Sequence, residues 1–77
     1  MKEHTKHQMT AIVIKQYERL ISHAKEELNL SPGNFEIKYY YQLLIKEILV
    51  LAVDLGLLST RKKNQYEHAA AEELGKC

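Results

Sequence analysis

The chain holds one cysteine, one proline and three glycines among 77 residues. A lone cysteine, Cys77, has no partner for an internal bridge, so the disulfide framework of small secreted domains is excluded and a reducing, cytoplasmic setting is expected. With so little proline and glycine, and 45% apolar against 27% charged residues, the composition favours a folded helical chain over disorder. Neither charge sign dominates. The 11 basic and 10 acidic side chains leave a net charge of +1, which supplies no global pull toward nucleic acid or acidic lipid. The opening Met1-Lys2-Glu3-His4 leads into polar residues rather than an apolar run, so no secretory leader is expected. The most apolar stretch, 35–58, is interrupted by Glu36, Lys38, Gln42, Lys46, Glu47 and Asp54. Charges near a bilayer centre cost about 2.5 kcal/mol or more each, so no membrane insertion is expected.

What the sequence does contain is helical periodicity. Residues 1–8 are polar, rich in His and Lys, and without period, which reads as a flexible tail or a loose first turn. From Met9 onward Val13, Ile14, Tyr17, Leu20, Ile21, Ala24 and Leu28 share one helical face, with Lys15, Glu18, Arg19, Ser22, Lys25 and Glu26 opposite. A helix over about 9–29 is expected. Ser31-Pro32-Gly33-Asn34 then places proline and glycine where a type II turn wants them. Asn34 is suited to cap a second helix, with Glu36 at its positive end. That helix is expected over about 34–55. Gly56 supplies a left-handed terminus, Leu57 and Leu58 fold back, and Ser59 or Thr60 caps a third helix ending near Leu74. Tyr66, Ala69, Ala70 and Leu74 form its thin apolar side. Short turns between three helices imply an all-α antiparallel three-helix bundle, with 9–77 as a single helical domain.

The second helix is apolar nearly all round. Ile37, Tyr40, Tyr41, Leu44, Ile45, Ile48, Leu51, Ala52 and Leu55 form an arc assigned to the core. Outside it lie two further rows, Tyr39/Leu43/Val50 and Phe35/Leu49/Val53. A helix apolar on every side is normally covered on every side, and a three-helix chain has only two other helices to offer. The surplus predicts self-association through the second helix as a two-fold homodimer, or the docking of another protein on the same rows. Tyr39, Tyr40 and Tyr41 point about 100° apart and cannot all be internal, so at least one is expected at a surface, Tyr39 being the best placed.

Other constellations carry less. Arg61, Lys62 and Lys63 open the third helix, where free N–H groups and the hydroxyls of Ser59 and Thr60 offer an anion or nucleic-acid contact. Glu67, Glu72 and Glu73 on the same helix oppose a phosphate backbone. His4 and His7, three residues apart, suit a weak metal contact only if His23 or His68 joined them, so neither metal nor cofactor is expected. Ser22 and His23 are adjacent and diverge on a helix, and Glu47 and Asp54 lie two turns apart, so no catalytic set is assembled and an enzyme is not expected.

The turn Leu28-Asn29-Leu30-Ser31-Pro32-Gly33 between two amphipathic helices resembles the helical hairpin of bacteriocin immunity proteins, over about half the chain. That resemblance implies a cytosolic antiparallel bundle and an immunity- or inhibitor-type role. The family's first helix and its C-terminal tail have no counterpart here, so no functional residue follows from it. The leading expectation is a small regulator or adaptor that dimerises through its second helix and binds another protein.

Overall fold

Gly33 and Gly56 alone adopt positive φ among the described residues, +74° and +75°, and they stand at the two points where the chain reverses. In the computed structural model, which describes residues 3–76, these reversals separate α1 (Glu3–Leu30), α2 (Phe35–Asp54) and α3 (Thr60–Gly75). At the first, the Asn34 N–H donates to the Ser31 carbonyl at 3.1 Å across Pro32 and Gly33. Asn34 then caps α2, its side chain accepting from the Ile37 N–H at 3.2 Å. At the second, the Gly56 N–H reaches the Val53 carbonyl (2.9 Å) and the Leu57 N–H reaches Ala52 (2.8 Å). This paired 5→2 and 6→1 pattern satisfies carbonyls that the helix end leaves open, and it buries Leu57 close to Ala52. Ser59, rather than Thr60, caps α3 by accepting from the Lys62 N–H at 3.1 Å.

The result is the all-α three-helix bundle. α2 is the central element, packed against both neighbours, while α1 and α3 meet less extensively. Tyr17 and Tyr66 are paired, as are Lys25 and Glu73, so α1 and α3 run parallel to one another and antiparallel to α2. The core is formed by Tyr17, Ala24 and Leu28 of α1, Tyr41, Ile45 and Leu49 of α2, and Ala70 and Leu74 of α3. No buried polar or charged residue occurs among the described residues. Lys25 and Glu73 tie the far end of the α1/α3 seam, and Lys25 holds the Glu73 carboxyl below its ordinary value of 4.5. Stability from this pair is present above pH 4.5 and fades as acid protonates Glu73. Both groups are well exposed, so the effect is small.

Two expectations are corrected. α1 begins at Glu3, so residues 3–8, expected as a flexible tail or a loose first turn, belong to the regular helix; Met1, Lys2 and Cys77 lie outside the described residues. Extending a formed helix fixes one residue per hydrogen bond gained and needs no apolar period. The 28 residues of α1 span about 42 Å against about 30 Å for the 20 of α2, so roughly its first eight residues overhang the bundle. Their side chains, where described, are exposed, save for the half-buried Met9 and Thr10 beyond them, and Thr10 Oγ1 donates to the Lys6 carbonyl (2.9 Å) and lies 3.5 Å from that of Leu57.

The second correction concerns the setting of α2. Leu49, placed outside the core arc, is only 1% exposed, whereas Tyr40, Leu51 and Leu55, placed inside it, are exposed. Leu49 continues the four-residue ridge of Tyr41 and Ile45, and α3 closes on that ridge through the small Ala70, which rotates the buried arc away from Tyr40 and Leu51. Ala69, assigned to the buried side of α3, is likewise exposed.

Replacing Leu49 by alanine is expected to cost about 2 to 5 kcal/mol, while Phe35→Ala, 75% exposed, changes stability by under about 0.5 kcal/mol; urea titrations under monomeric conditions compare them. A Cβ at Gly56 meets nothing within 4 Å, so Gly56→Ala isolates backbone strain, with an expected loss of about 1 to 2 kcal/mol in the same assay.

Candidate protein-interaction face

With α1 and α3 both on the Tyr41/Ile45/Leu49 side, the opposite side of α2 has nothing over it. Successive turns present Tyr39, Leu43, Glu47 and Asp54, flanked by Tyr40 and Leu51, all exposed, with Val50 half-buried between them. Leu43 is 42% exposed and Tyr39 56%. Phe35, at the start of the helix, stacks on Tyr39 with ring centroids 6.4 Å apart, and Tyr40 packs edge-on against the buried Tyr41 at 5.3 Å. The side chains therefore rest on one another, which lowers the entropy lost when a partner covers them.

Of the six residues assigned to an interface, the structure brings Tyr39, Leu43 and Val50 together on this outward face and puts Phe35 beside Tyr39. Val53 is half-buried at the border, and Leu49 belongs to the core. Tyr40, Leu51 and Leu55 are the exposed side chains the periodicity misassigned. Ile12 and Leu30 of α1 are exposed as well; scattered apolar side chains of that kind are ordinary on a surface.

The acidic residues are also arranged. Glu36, Glu47 and Asp54 recur at intervals of eleven and seven residues, near whole numbers of turns, so they line the same outward face as Leu43 and Val50. Lys46 stands at its edge, where α2 meets α3 in a shallow groove of about 160 Å³ lined also by Gln42, Ile45, Glu67, Ala70 and Ala71. Glu67 Oε1 is covered and pairs with Lys63 Nζ at 3.2 Å, without the alignment of a hydrogen bond. Among the described residues neither Lys46 nor Glu47 has an ion-pair partner in its own chain.

The remaining candidates are dispersed. Lys63 is engaged by Glu67 and the Lys62 N–H by Ser59, which leaves the exposed Arg61 and Lys62 side chains at the start of α3. His4 contacts Gln8 (3.2 Å), and His68 lies 3.9 Å from Glu72; no group of three or more His, Cys, Asp or Glu converges among the described residues. Lys6, His7, Thr10 and Leu57 outline an open hollow under the overhang of α1. No helix among the described residues is long and apolar enough to cross a membrane.

No protein family, characterised protein or solved structure matches the chain. The likeness of the Leu28–Gly33 turn to immunity proteins therefore stands on the turn and helix order alone.

Displaced acid–base properties follow packing. Burial, then the Tyr66, Glu73 and Glu18 charges, lifts the Tyr17 pKa above its ordinary 10.0, while its hydroxyl donates to the Tyr66 carbonyl at 2.8 Å and its ring meets that of Tyr66 edge-on. Tyr41 is raised chiefly by burial and next by Glu27. A raised tyrosine stabilises the fold fully below pH 10.0, and that contribution is lost as the pH climbs through the folded-state value. Tyr17→Phe is expected to cost about 1 kcal/mol at neutral pH and to shrink the alkaline loss, with Tyr41 retaining part of it, in urea titrations at neutral pH and above pH 10.

Proposed function

We propose that the chain is a small protein–protein interaction module of the regulator or adaptor kind, working as a homodimer joined through the outward face of α2. The observation that carries this reading is the exposure of Tyr39, Tyr40, Leu43 and Leu51 together on one side of a helix whose other side already forms the core. Aromatic and aliphatic side chains concentrated in one place are what interface centres are made of, and tyrosine adds large contact area with a polar tip. Contiguous apolar patches beyond a few hundred Å² are uncommon on monomers.

Energetics favour the same reading. A chain of 77 residues buries only about 60 to 65% of its unfolded surface and has little stability in reserve. Covering the α2 face in a dimer adds burial at roughly 25 cal/mol per Å² of apolar surface before the cost of association. A two-fold pairing uses one face twice, so a single helix supplies both halves of the contact. The dimer would in turn present α1 and α3, with their charged surfaces, to a further protein.

Sedimentation equilibrium at tens of micromolar is expected to show a dimer for the wild type and a monomer for Leu43→Glu, with helicity retained because Leu43 lies outside the core. A wild-type monomer at that concentration defeats the reading.

A further inference from the structure

We draw no further inference here: the strongest candidate, the exposed apolar side of α2 around Tyr39, Leu43 and Leu51, carries nothing beyond the reading already proposed for it, because nothing in the structure shows what covers it.

Discussion

α1 and α3 close on the same ridge of α2, built from Tyr41, Ile45, Leu49 and Ala52, and this shared ridge sets most of what the molecule presents outward. Its side chains recur at four- and three-residue steps, which keeps them on one side of a helix. Three alanines, Ala24, Ala52 and Ala70, are almost wholly buried in three different helices, so there is little bulk to hold the backbones apart. Because both neighbours use one side, the other side of a helix that is apolar nearly all round is left without cover. The exposed apolar side of α2 is thus a geometric consequence of the core.

Much of this was legible from residue order. The helix boundaries depend on local chemistry that a few residues carry: Asn34 accepting from Ile37, Ser59 accepting from Lys62, and Gly56 taking a positive φ. Such signals need no knowledge of the rest of the fold. The rotational setting of α2 was not legible, since Leu49 and Tyr40 are equally apolar and only the approach of α3 decides which is covered. The start of α1 was hidden for another reason: residues 3–8 extend a helix nucleated elsewhere and bury nothing, so they leave no period to read. Of the two rows set outside the core arc, Tyr39, Leu43 and Val50 keep that place because they stand away from the core ridge under either setting.

Electrostatics separates the surfaces more sharply than hydropathy does. The start of α3 carries three consecutive cations at the end of a helix that disfavours them, yet Lys63 is drawn to Glu67 and Ser59 occupies one of the free N–H groups. The outward face of α2 has the reverse character. Its acids alternate with apolar side chains, and Lys46 at its edge has no ion-pair partner among the described residues. An arrangement of this kind says less about how strongly a surface binds than about which orientations it tolerates.

A core without buried polar residues has few means of telling one helix rotation from another, because aliphatic contacts are non-directional and nearly interchangeable. The hydroxyl of Tyr17 supplies direction, joining positions 49 residues apart in the chain and fixing α3 to α1 at one height and one azimuth. A bundle that lost it would keep its helices and its burial yet sample neighbouring packings of similar energy. A single phenolic proton thereby contributes to the uniqueness of the native state as well as to its stability.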